Sequence, residues 1–112
     1  MSIQEWSDNI VVAELQDDPA FSDDMTALSD IVHERPDVHV VLNMAGIDHL
    51  NSSNIAKLLK LRKALINNQH KLRLCGLNTH VWGLFLVTGL DKVFEFADNV
   101  AMGLAGIQIE PE

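Results

Sequence analysis

Two adjacent serines, Ser52 and Ser53, stand where an apolar run gives way to helical spacing, in the stretch VVLNMAGIDHLNSSNI at residues 40–55. Asn51 or Ser52 is a natural N-cap, and the apolar positions Ile55, Leu58, Leu59, Leu65 and Ile66 then recur at helical intervals. Ser53 therefore falls in the first helical turn. There the unsatisfied backbone N–H groups and the macrodipole favour negative charge, so a phosphate on its hydroxyl fits the helix. Ser52 is the better placed of the two to cap, which makes Ser53 the expected acceptor and Ser52 the second choice. Lys57, four residues on, shares its helical face. Asp48, His49, Asn51, Ser52, Asn54 and Lys57 surround the hydroxyl in sequence and form the candidate docking surface for a partner.

Nucleophilic catalysis does not fit these residues. His49 precedes the cap, and no third group is specified to orient it as a base for Ser53. The six glycines, spread from Gly46 to Gly106, form no phosphate loop, dinucleotide fingerprint or nucleophile elbow. The five histidines show no i, i+4 spacing and the single Cys75 adds only one soft ligand, so neither a metal nor a cofactor is expected. Cys75 reads as a buried core thiol in a reducing compartment.

Charge is distributed unevenly. The net charge is −8, yet between Asp48 and Asp91 there is no acidic residue. That window carries Lys57, Lys60, Arg62, Lys63, Lys71 and Arg73; either Lys57, Lys60 and Lys63 are simply the solvated face of an amphipathic helix, or the acid-free neighbourhood serves to lower the electrostatic cost of a dianion at Ser53 and to dock an acidic partner. An acidic chain with 5% aromatic residues and none of the usual nucleic-acid motifs is not expected to bind nucleic acid. No apolar stretch approaches the ~20 residues of a membrane span, and residues 2–9 lack the pattern of a signal peptide. A cytoplasmic protein of one compact domain, residues 1–112, is the expectation.

The pattern of elements implies an α/β fold. Residues 3–6 and 10–15 read as short strands around a Ser-Asp-Asn turn. Ser22, Asp23 and Asp24 open a helix with Phe21, Met25, Leu28 and Val32 facing inward, and Pro36 stops it. The run at residues 38–44, interrupted by Asn43, suits a strand buried on both faces of a parallel sheet. Strands and helices then alternate, and residues 99–107 form a last helix weakened by Gly103 and Gly106. Four to five mostly parallel strands with right-handed crossovers and about four helices result. Ile10–Phe21, with its acidic pair, imitates the start of a response-regulator receiver, but only 20 residues separate Asp18 from Val38, too few for the helix-strand-helix run a receiver needs. In the helix at residues 79–87, Val81, Leu84 and Phe85 form the core stripe while Trp82 and Leu86 extend the apolar surface. Either that helix is covered on both sides or Trp82 and Leu86 serve a partner or a homodimer.

Two motifs resemble the STAS domain, and within it the stand-alone anti-sigma factor antagonists of bacteria. In that family a strand ending in Asp-Leu leads through a Gly turn to an Asp-Ser-Ser-Gly-Leu helix start; here the frame reads Asn43, Met44, Gly46, then Asn51, Ser52, Ser53, Asn54, Ile55. Leu72, Leu74, Cys75, Gly76 and Leu77, followed by Val81, Leu84, Phe85, Thr88, Gly89, Leu90, Asp91, Val93, Phe94 and Phe96, match the later strand, helix, Thr-Gly-Leu turn and final strand. The similarity spans residues 10–100 and is strongest over 40–100. It implies a non-enzymatic signalling module that regulates transcription by docking on an anti-sigma-type serine kinase, with Ser53 phosphorylated and a serine phosphatase reversing it. It also admits a STAS subunit that binds the ATPase of a membrane ABC transporter, or an unphosphorylated scaffold. Asn43 and Asn51 replace the family's two Asp residues, keeping the capping but not the carboxylates. Asn54 adds a side chain where the family's Gly lets another protein approach.

Overall fold

The structure, a computed structural model, describes residues 2–109. The elements are β1 (Ile3–Ser7), β2 (Ile10–Gln16), α1 (Ala20–Glu34), β3 (His39–Gly46), α2 (Ser52–Asn67), β4 (Leu72–Cys75), α3 (Thr79–Thr88), a 3-10 turn (Leu90–Lys92), β5 (Glu95–Ala97) and α4 (Val100–Ile109). The expected mostly parallel sheet of four to five strands with about four helices is present, as five strands and four α-helices among the described residues. Strands lie in the order β1-β2-β3-β4-β5, with β1 antiparallel to β2 and the other pairs parallel.

The alternation of side chains along each strand divides the core in two. Val11, Ala13, Leu15, Val40, Leu42, Met44, Leu72 and Leu74 face one side, where Phe21, Met25, Leu28 and Val32 of α1, Leu58, Leu61 and Leu65 of α2, and Val81 and Phe85 of α3 pack on them. Ile10, Val12, Val41 and Cys75 face the other, covered by Leu104 and Ile107 of α4. Each large buried side chain contributes roughly 1.5–3 kcal/mol, so the larger cluster dominates stability. The apolar stripe of α2 differs from the sequence expectation. Leu61 joins Leu58 and Leu65 in the core, whereas Leu59 and Ile66 remain 36% and 50% exposed.

Two helix details also depart from the sequence reading. α1 starts two residues before Ser22, and its first turn is held by Asp18, whose Oδ1 accepts from the Ser22 N–H and hydroxyl at 2.9 and 2.7 Å. In α4, Gly103 is a packing requirement and not merely a weak point. A Cβ there would lie 2.6 Å from Cys75 Sγ, so only Gly lets the helix settle onto the sheet. Beneath α4, the buried Arg73 pairs with Glu95 at 2.9 Å. At the β1 edge, Arg35 after α1 pairs with Glu5 and donates to the Asp8 carbonyl. Among the described residues no helix is long and apolar enough to cross a membrane.

Candidate functional site

The junction between β3 and α2 sits at the C-terminal ends of the parallel strands, where the strand-to-helix loops gather. Gly46 closes β3 against its neighbour so tightly that a Cβ would come within 2.9 Å of the Leu15 carbonyl oxygen, which excludes any larger residue without a shift. Asn43, on β3, turns its Oδ1 to the Ala45 N–H at 3.0 Å and so shapes the exit of the strand. Of the two candidate caps the structure selects Asn51. Its side chain accepts from the Asn54 N–H at 2.8 Å while the Asn54 Oδ1 accepts from the Asn51 N–H at 3.1 Å, a reciprocal capping box. Ser52 and Ser53 become the first and second residues of α2, both exposed, and neither hydroxyl is consumed by the cap. The Lys57 ammonium donates to Ser53 Oγ at 2.9 Å, one turn along the same face.

Asn54 behaves differently from its sequence reading. It is 4% exposed, and its amide points inward, donating to Asp18 Oδ2 at 2.8 Å. It therefore clamps the start of α2 to the β2–α1 loop instead of standing between the domain and a visitor. Asp18 accepts from Ser22 and from Asn54, and these bonds, with the Lys57 charge nearby, hold its carboxyl below the usual range. The other half of the acidic pair has a parallel task. Asp17 Oδ1 accepts from the backbone N–H groups of Asp48 and His49 at 3.0 and 3.1 Å, fixing the loop before α2. From the opposite side Asn78 reaches the Ile47 carbonyl at 2.9 Å and the Asp48 carboxylate at 3.3 Å.

Sequence reasoning missed Asp17, Asp18 and Asn78 as site residues. The acid-free window that surrounds Ser53 in sequence is not acid-free in space, because β2 is the parallel neighbour of β3 and its loop delivers two carboxylates to the motif. The usable signal was the Asp-Asp-Pro immediately after a strand. Adjacent parallel strands end at the same edge of a sheet, so their loops meet.

His49 and His80 bring the β3–α2 loop and α3 together, with ring centroids 6.3 Å apart in an edge-on arrangement. They flank an open groove of about 500 Å³ floored by Leu50, Val81 and Leu84 and reaching Val87. Both histidines are exposed, as are Asp48 and Asn51. Trp82 and Leu86 separate. Trp82 is half-buried, its ring edge-on to Phe96 at 4.9 Å, whereas Leu86 is 50% exposed beside Val87 at 88%.

Comparison with known proteins places this geometry. The sequence pattern of the STAS domain matches residues 3–103. A putative anti-sigma factor antagonist from Thermotoga maritima superposes with a TM-score of 0.80 at 12% identity, covering 93% of this chain and 92% of that one. The anti-sigma factor antagonist SpoIIAA in its unphosphorylated form gives 0.80 at 16% identity, covering 98% and 97%. A sulfate transporter family protein from Wolinella succinogenes gives 0.77 at 14%, covering 95% and 90%. At these identities the structural likeness speaks for the shared fold, and the sequence match over residues 3–103 establishes the lineage: the chain belongs to the STAS domain family.

Proposed function

We propose that this domain is a non-enzymatic partner-switching module of the anti-sigma-factor-antagonist type, working in the cytoplasm by docking on a serine kinase, with Ser53 as the residue that controls docking. The observation that carries the reading is the exposed Ser53 hydroxyl in the first turn of α2, held at 2.9 Å by the Lys57 ammonium and flanked by a loop pinned from both sides. In the unmodified state the loop bearing Asp48 and His49, together with the first turn of α2, meets the partner. Phosphorylation adds about −1.5 to −2 charges in the middle of that surface and opposes docking by desolvation and repulsion. A serine phosphatase restores it. The solved structures of SpoIIAA in unphosphorylated and phosphorylated forms, both of this fold, support a switch of this kind.

A second reading is favoured by two observations, the neutral Asn43 and Asn51 in the motif and the likeness to a sulfate transporter family protein: a subunit that binds the ATPase of a membrane transporter with no phosphorylation cycle. Capture of the protein from its own cells separates the two. Recovery of a soluble kinase, with a phosphatase-sensitive mass gain mapped to Ser53, supports the switch; recovery of a membrane-associated ATPase with unmodified Ser53 refutes it.

A further inference from the structure

The two helices that lie side by side on the larger sheet face carry opposite charge. α1 contains Asp23, Asp24, Asp30 and Glu34 and no Lys or Arg; α2 contains Lys57, Lys60, Arg62 and Lys63 and no Asp or Glu. Asp23, Asp30 and Glu34 are exposed on the outer stripe of α1, and Lys60 and Lys63 on that of α2. None of these five is in an ion pair within the domain among the described residues. Leu59 and Ile66, two of the six large apolar side chains exposed among the described residues, flank the basic stripe on the side of α2 away from α1, where Ile66 borders a groove with Val93 and Phe94. The helices run level with each other: Asp30 shares a groove with Lys57 and Lys60, and His33 shares the next with Lys60 and Asn67.

We propose that the α1–α2 face is a self-association surface and that its partner is a second copy of this chain. A two-fold axis parallel to the helices and lying between them sets α1 of one copy over α2 of the other, twice, with the helices level, so that Asp30 and Glu34 meet Lys60 and Lys63 at both contacts. An axis across the helices sets acid on acid and base on base. Charge therefore selects one isologous arrangement out of the face-to-face packings, with Leu59 and Ile66 at its rim. Helices of 15 and 16 residues are about 23 Å long. Two of them packed ~10 Å apart present roughly 450 Å² per copy. About 900 Å² in total lies below the standard interface, so the dimer is weak and reversible. At about 0.1 M salt the Debye length of ~10 Å screens the repulsion between whole copies but leaves facing side chains in touch.

Sedimentation of the full chain, over concentrations up to a few hundred micromolar, tests this. At about 0.1 M salt a concentration-dependent monomer–dimer equilibrium is expected, weakening at least about tenfold at 0.5 M. The double variant Lys60→Glu with Lys63→Glu, and the double variant Asp30→Lys with Glu34→Lys, should each be monomeric. Mixed in equal amounts they should form a one-to-one heterodimer, because each then offers the sign the other lacks on both helices. Circular dichroism confirms that each variant is folded, and Lys60→Gln with Lys63→Gln, also expected to be monomeric, replaces a charge-reversed chain that is not. A monomeric wild type, a charge-reversed variant that dimerises as wild type does, or folded variants that stay monomeric on mixing would overturn the proposal. A monomeric wild type that binds a poly-glutamate peptide through Lys60 and Lys63 would assign the stripe to a different acidic partner, and would equally overturn it.

Discussion

Replacing Asn54 with the family's own residue tests whether its side chain is structural. Asn54→Gly removes the acceptor for the Asn51 N–H at 3.1 Å and the donor to Asp18 at 2.8 Å, but leaves its own N–H bonded to the Asn51 side chain. The Asn51 N–H loses its partner in a part-buried hydrogen bond, which costs about 1–2 kcal/mol. Nothing is added for Asp18, because its carboxylate is exposed and water replaces the lost donor. Gly is worse than Asn in a helix by a few tenths of a kcal/mol and worse than Ala by about 1. Asn54→Gly should therefore cost about 2 kcal/mol and Asn54→Ala about 1, or roughly 8 °C and 4 °C in Tm for a domain of this size. Thermal unfolding of both variants, with partner affinity measured in parallel, is the assay. Affinity should hold, since the side chain faces inward. An unchanged Tm for Asn54→Gly accompanied by altered affinity would refute the clamp and return Asn54 to the docking surface.

At low salt the protein phosphorylated at Ser53 should be more stable than the unmodified protein by a few tenths to about 1 kcal/mol, through the Lys57 ammonium and the helix N-terminus. Added salt and Lys57→Ala should each reduce that gain, as read by chemical denaturation; a phosphorylated protein that melts well below the unmodified one contradicts the site geometry. Asp18, its carboxyl held below its ordinary value of 3.8 chiefly by the Ser22 hydroxyl, stabilises the fold above that value and ceases to as pH falls through the lower folded one. Wild type should therefore exceed Asp18→Asn in stability at neutral pH and converge with it below about pH 4, and a gap that widens in acid would reverse the sign of the argument. Burial pushes the Cys75 thiol up to about 11, so it should resist maleimide at pH 8 and react only at the rate of global opening. Gly103→Ala, which drives a methyl against that sulfur, should cost about 1–3 kcal/mol and speed labelling.

The periodicities that build the fold were readable because each element buries one consistent face. Phe21, Met25, Leu28 and Val32 recur at helical spacing and do face the sheet. The strand at 38–44 proved buried as its apolar run implied, although β3 itself runs from His39 to Gly46. What could not be read was the meeting of loops distant in sequence. Asp17 and Asp18 looked like the residue of a misleading receiver motif, and only the pairing of β2 with β3 reveals them as the supports of the serine loop. Asn54 was misread for a related reason. A polar side chain three residues into a helix faces solvent by default, and nothing local shows that a carboxylate waits on the inner side. The choice between Asn51 and Ser52 as cap turns on the same partner, because Asn54 completes a box with Asn51 alone.

The strand order, which simply follows the chain from β1 to β5, has a consequence for what this domain can recognise. In doubly wound sheets the order reverses at one point, the helices on either side diverge to opposite faces, and the resulting crevice takes a nucleotide or another small ligand. Here α1, α2 and α3 all pack on one face, so no reversal occurs at the strand ends between them. The loops after β2, β3 and β4 stand in an unbroken row, tied to each other by Asp17, Asp18 and Asn78. Such a row forms no crevice of the kind a reversal in strand order opens. It offers a continuous rim along which another macromolecule could lie, and on the function proposed above a charge added at Ser53 acts directly on whatever rests there.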